Sequence, residues 1–161
     1  MSAVVDTPER INALIALYRE SHYDVELPRG KVVTLHVGES APVALKQWIG
    51  DDAVAFYLTA CNPRSTSLPK EENDARLAAL RAELKASGCR WLEGAGYIPG
   101  EAWREECVLV AGIDMAGADE IARRYDQNSI LVVPANAAVT LRVYRADWRA
   151  VAGESVDVDW A

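Results

Sequence analysis

Ala53-Val-Ala-Phe-Tyr-Leu-Thr-Ala60 and Cys107-Val-Leu-Val-Ala-Gly-Ile113 are the two runs that decide the fold. Each is apolar on both faces, rich in β-formers and bounded by turn residues, the pattern of a central strand covered on both sides. Between them, the loop Cys61–Leu68 leads to a helix over Pro69–Ser87, with Ser67 as the expected N-cap. Leu77, Leu80 and Leu84 form its inward stripe, and Gly88 supplies a left-handed stop. Arg90–Ile98 reads as a strand in which Gly94 and Gly96 mark a bulge or a close backbone approach. Pro99-Gly100 turns the chain back into the second run. Asp114 then caps a helix reaching Asp126, with Ala118, Ile121, Ala122 and Tyr125 inward and Asn128 as its expected stop. Strands over Ser129–Val133 and Ala138–Tyr144 follow.

Upstream, Thr7-Pro8-Glu9 is a helix start, and Ile11, Leu14, Ile15 and Tyr18 recur on one face until about Ser21. Two short strands, Tyr23–Leu27 and Lys31–Val37, flank the turn Pro28-Arg29-Gly30; the stretch Gly38–Asp52 is ambiguous, and within it Val43–Ile49 can form a short helix. From residue 53 the order is βαββαβ. The expected class is therefore α+β, with a ferredoxin-like core over about 53–133, an N-terminal helix and β-hairpin, and an appended C-terminal strand. The expected organisation is a single domain, 1–161. Residues 1–52 pack on the core as cover, 53–144 form the core, and 145–161 are a tail whose end, Gly153–Ala161, is acidic and expected to be mobile apart from Trp160.

The chain has 161 residues, half of them apolar and a quarter charged, with a net charge of −7. That is globular composition, and its sign disfavours nucleic acid and anionic membranes. No apolar run approaches the ~18 residues of a membrane span. Charge is uneven: residues 61–100 carry 6 basic and 5 acidic groups, against 6 and 11 in residues 101–161. The middle segment is the better host for an anion. Cys61, Cys89 and Cys107 show no paired spacing, and Met1–Asp6 shows no basic-then-apolar leader. A reducing bacterial cytoplasm is expected, with inert thiols. With only His22 and His36, no metal-ligand spacing is recognisable. Neither is a phosphate loop or a nucleophile elbow, so no cofactor is expected.

Two segments carry candidate chemistry. In the first, the strand at Thr59 delivers a polar loop with Asn62, Arg64 and Ser65 to the start of a helix bearing Asn73 and Arg76. The last two lie one turn apart on adjacent surface. Amides, guanidinium groups and free helix N–H groups together suit a small anion or a carboxylate. Equally, Asn62-Pro63 is a turn starter, Asn73 can tie loop to helix, and Arg76 can pair with Glu72 or Glu83. In the second, Trp103-Arg104-Glu105-Glu106 enters the buried strand. The two glutamates point to opposite faces and are no catalytic pair, and one of them is the expected partner of Arg76 or Arg64. Trp91 and Trp103 flank the turn nearby and can border a pocket.

The order Phe56-Tyr-Leu-Thr-Ala-x-Asn-Pro-x-Ser65, Glu72-Asn73-x-x-Arg76, Gly88, Trp103-x-Glu105-Glu106, Leu109-Val110-x-Gly112-Ile113 and Gln127 resembles the bacterial domain-of-unknown-function 3293 family. The resemblance covers about residues 53–133. It departs from the family pattern at Cys61, where an aromatic is usual, at Cys107, where serine is usual, and at Tyr125-Asp126, where Phe-Gly is typical. It implies no activity, and no catalytic residue comes with it. The inventory favours a non-enzymatic binding or interaction module taking a small anionic ligand or a protein partner at residues 61–76. Its rival is a small enzyme with Glu105 or Glu106 as general base and Arg76 as anion clamp.

Overall fold

The computed structural model describes residues 5–161; most of the Met1–Asp6 segment read for a leader lies outside that range. Eight strands form one curled sheet. They are β1 (His22–Glu26), β2 (Val32–Leu35), β3 (Val54–Leu58), β4 (Arg90–Tyr97), β5 (Arg104–Ala111), β6 (Ser129–Pro134), β7 (Thr140–Val143) and β8 (Val158–Trp160), in the order β2-β1-β4-β5-β3-β6-β7-β8. All neighbours are antiparallel except the parallel pair β7–β8. The two runs that opened the sequence reading are adjacent at the centre, with Phe56 opposite Val110.

Both faces of β3 and β5 are covered, as their composition requires. On one face, Phe56, Leu58, Val108, Val110 and Val132 pack against α3 (Lys70–Ala86) and α4 (Met115–Arg124) through Leu80, Leu84, Ala118, Ile121 and Ala122. On the other, Tyr57, Leu109, Leu131 and Leu141 pack against α1 (Pro8–Glu20) and α2 (Val43–Ile49) through Ile11, Leu14, Ile15, Leu45 and Ile49. Fully buried Trp148 completes that layer just before α5 (Arg149–Ala152). At roughly 1.5–3 kcal/mol for each large apolar side chain removed from water, these layers supply the main driving force for folding.

Four details differ from the sequence reading. The sheet is larger than a four-stranded core, and the 22–35 hairpin extends its edge through β1–β4 pairing rather than lying over a face. The cover comes from α1 and α2. The tail is not loose: β8 pairs with β7, Asp159 pairs with Arg142, and Asp157 with Arg19. Opposite charges and a free strand edge together hold what acidic composition alone made look solvated. Finally, Pro69 rather than Ser67 occupies the N-cap of α3, and Asp126 (φ 53°), not Asn128, takes the left-handed turn after α4. Asn128 is instead buried, with its side chain otherwise engaged.

Candidate functional site

In an antiparallel sheet, the C-terminal ends of β3 and β4 meet the N-terminal ends of β5 and β6. At that end, α1 and the 61–68 loop close around a cavity of about 260 Å³. Leu14 and Leu17 of α1, Tyr23, Tyr57, Ile130 and Leu131 form its apolar walls. Trp103, 37% exposed, stands at its rim. Its polar groups include Tyr18, Thr59, Asn62, Ser65, Glu105, Gln127 and Asn128.

The loop is built under strain. Asn62, Arg64 and Ser65 have φ of 47°, 53° and 57°, the left-handed region in which a non-glycine residue costs about 1–3 kcal/mol. Asparagine tolerates it; arginine and serine do so less readily. A dense set of bonds holds the shape. Asn62 N–H donates to Asn73 Oδ1 (3.0 Å), Asn73 Nδ2 donates to Asn62 Oδ1 (2.8 Å), and the same oxygen accepts from Leu68 N–H (3.0 Å). Arg76 Nε and Nη2 donate to the carbonyls of Ala60 (2.5 Å) and Tyr125 (2.6 Å), and Gln127 Nε2 donates to that of Cys61 (2.9 Å). Arg64 N–H donates to Asp126 O at 2.7 Å.

Two polar clusters face the cavity. In one, Ser65 Oγ bonds the Tyr18 hydroxyl, and the buried Asn128 donates from Nδ2 to Tyr18 (3.0 Å) and Ser65 (3.3 Å). Arg145 Nη1 donates to Asn128 Oδ1 (3.4 Å), which fixes which end of the amide faces inward. In the other, Asn62 Nδ2 donates to Glu105 Oε2 at 2.8 Å. Burial pushes the Glu105 carboxyl up to about 7, against the lowering pull of that hydrogen bond. Burial likewise raises the Tyr18, Tyr23, Tyr57, Cys61 and Cys107 hydroxyl and thiol groups above their ordinary values, so they stay neutral near pH 7.

Of the residues singled out from sequence, Asn62, Ser65 and Glu105 line the cavity. Asn73 and Arg76 stand behind the loop and hold it, and Arg64 is exposed with its side chain outside the lining. Glu105 bonds an amide rather than the expected arginine: Arg76 stands behind the loop with Nε and Nη2 directed to the carbonyls of Ala60 and Tyr125. Glu106 lies on the opposite face and is exposed. Trp103 borders the cavity; Trp91 packs on the α3 side. The sequence presents Tyr18 only as part of an apolar stripe and Asn128 only as a helix stop. The usable signal was a polar pair, Asn128-Ser129, opening a buried strand at the same sheet end as the 61–68 loop. His22 of β1 and His36, just past the end of β2, pack edge to face (4.5 Å between centroids) and do not line the cavity.

Residues 58–130, a little under half of the chain, match the model of the family described as Protein of unknown function (DUF3293). No curated protein and no solved structure matches the chain. Among the described residues, no helix is long and apolar enough to cross a membrane.

Proposed function

We propose that this chain is a small-molecule binding module, acting as one domain over 1–161, whose ligand seats in the cavity between α1, the 61–68 loop and the ends of β3, β5 and β6. The observation that carries the reading is the convergence of Glu105 with the Tyr18–Ser65–Asn128 cluster on one concave, mostly apolar space. A few oriented polar groups on apolar walls are the usual make-up of a small-ligand site. Strain stored in Asn62, Arg64 and Ser65 supports it, since backbone outliers cluster where a loop is shaped for a task. The small anion or carboxylate that the loop's composition suggested loses its support: the cavity lining holds a glutamate and no lysine or arginine. The strand order β4-β5-β3-β6, antiparallel throughout, supports a ferredoxin-like core within the larger sheet. Three free thiols fit a reducing cytoplasm.

Titration with benzyl alcohol, a neutral probe of suitable shape, tests the site by NMR. Shifts are expected at the Trp103 indole N–H and the Asn62 and Asn128 side-chain amides, and their loss in Leu17→Trp, which fills the cavity. Shifts confined to other surfaces, or none, overturn the reading.

One feature favours an enzyme instead: the Glu105 carboxyl lines the cavity with only Oε2 bonded, to Asn62, and burial raises it toward neutral pH, where a carboxyl can both take and return a proton. In that reading Glu105 is the base, and Arg76 is no clamp, because it lies outside the cavity lining, behind the loop it holds. Deuterium uptake from D2O into bound cyclohexanone, lost in Glu105→Gln, would mark it.

A further inference from the structure

We propose that the cavity selects a small organic ammonium ion, held by Glu105 and the aromatic rings around it; this rests on the binding-site reading above. The first observation is the composition of the wall. Tyr18, Tyr23, Tyr57 and Trp103 all line the cavity, and Tyr23 and Tyr57 pack edge to face at 5.4 Å between centroids. Aromatic rings attract a cation through their negative faces, most strongly where water is excluded. The second is the carboxyl itself. Glu105 Oε2 accepts from Asn62, while no donor among the described residues bonds Oε1, and no arginine or lysine among them pairs with the group. An acceptor is thus left open toward a cavity with no cation of its own.

The alternatives fit less well. An anion would enter beside Glu105 and against the field of a chain carrying −7. A neutral ligand would satisfy the walls and could donate a hydrogen bond to the carboxyl, but it brings no charge to balance a carboxylate. An ammonium ion restores the charge balance that burial took away, so its binding draws Glu105 into the ionised form. The facing groups cannot do this: Tyr18 from α1, Tyr23 from β1, Tyr57 from β3, Cys61 from the loop and Cys107 from β5 all stay neutral. The charges nearest them, Arg10 beside Tyr18, Asp24 beside Tyr57, and Arg76 and Glu106 beside Cys61, lie outside the lining.

Calorimetry of the full chain with benzylamine, benzyl alcohol and benzoate, each at pH 6 and pH 8 in two buffers of different ionisation enthalpy, tests the inference. Benzylamine is expected to bind best, to release close to one proton at pH 6 and almost none at pH 8, and to bind roughly tenfold more weakly at pH 6, where about a tenth of Glu105 is ionised. Glu105→Gln should lose benzylamine while keeping benzyl alcohol, which also shows that the variant is folded. If benzyl alcohol or benzoate binds as well as benzylamine, or Glu105→Gln retains the amine, the ammonium inference is overturned and the cavity reading stands. If none of the three binds, both are overturned.

Discussion

Asn62 Nδ2 donates to Glu105 Oε2 at 2.8 Å while Asn62 Oδ1 accepts from Leu68 N–H and Asn73 Nδ2, so one amide couples the strained loop to the carboxyl in the cavity. Asn62→Ala removes all three bonds and leaves alanine at φ 47°, where asparagine is better tolerated. The expected loss is about 2–3 kcal/mol in urea unfolding, from unpaired groups and backbone strain together. The Glu105 titration, followed by side-chain carbonyl NMR, should move further up, because the bond that lowers it is gone.

The raised Glu105 carboxyl also sets a pH dependence with an unusual sign. Folded, the group titrates at about 7; unfolded, near its ordinary 4.5. The folded state therefore holds its proton more tightly, and this group's contribution to stability is largest below pH 4.5 and declines as pH rises to 7. The span corresponds to on the order of 3 kcal/mol. Asp6, Asp119 and Asp157 titrate below their ordinary value and act oppositely, losing stability as pH falls through that lower range. Comparing Glu105→Gln with the native chain isolates the first effect: the variant should gain relative stability between pH 5 and 7 and match the native chain at acid pH. A difference independent of pH would contradict the assignment.

Arg76 and Arg64 should separate cleanly. Arg76 donates to two carbonyls from different segments, Ala60 and Tyr125, and stacks over the Tyr125 ring. Arg76→Ala is expected to cost about 1–3 kcal/mol, since both carbonyls lose a charged donor. The exposed Arg64 side chain makes no such bonds, so Arg64→Ala should stay within about 0.5 kcal/mol in denaturant midpoint and leave benzyl alcohol binding unchanged.

Local chemistry made much of this legible. Thr7 and Asp114 cap their helices through side-chain bonds to Arg10 and Gly117 N–H, and Val43–Ile49 is helical over the span its pattern gave. Two-sided apolar composition placed β3 and β5 together at the centre. Pairing partners of weaker strands were not legible, because β1 and β8 join the sheet by backbone bonds that any sequence can make. At the site, Asn62, Ser65 and Glu105 stood out as polar residues beside buried runs. Tyr18 and Asn128 did not: a tyrosine on an apolar stripe and an asparagine after a helix have commonplace explanations. Only the tertiary fold turns them toward Ser65.

Gly94 offers the most demanding test of packing. Its backbone has ordinary φ, so the requirement is space rather than conformation. Tyr57 reaches from β3 across β5 to donate its hydroxyl to Asp24 O of β1 at 2.8 Å, and its ring passes over Gly94 on the way. A Cβ at position 94 would lie 2.2 Å from Asp24 O and 2.8 Å from the Tyr57 hydroxyl. The first neighbour is backbone and cannot swing aside, so β1 must separate from β4 or Tyr57 must leave its slot. Either change breaks a buried hydrogen bond and opens the cavity wall beside Cys107, the cross-strand partner of Gly94. Gly94→Ala should therefore destabilise by roughly 3 kcal/mol, in the range of overpacking combined with a lost buried bond. Gly96→Ala, whose Cβ would meet the Tyr23 ring at 3.4 Å, should cost much less. Equal effects of the two substitutions in thermal unfolding would show that the Tyr57–Asp24 crossing is not what reserves position 94 for glycine.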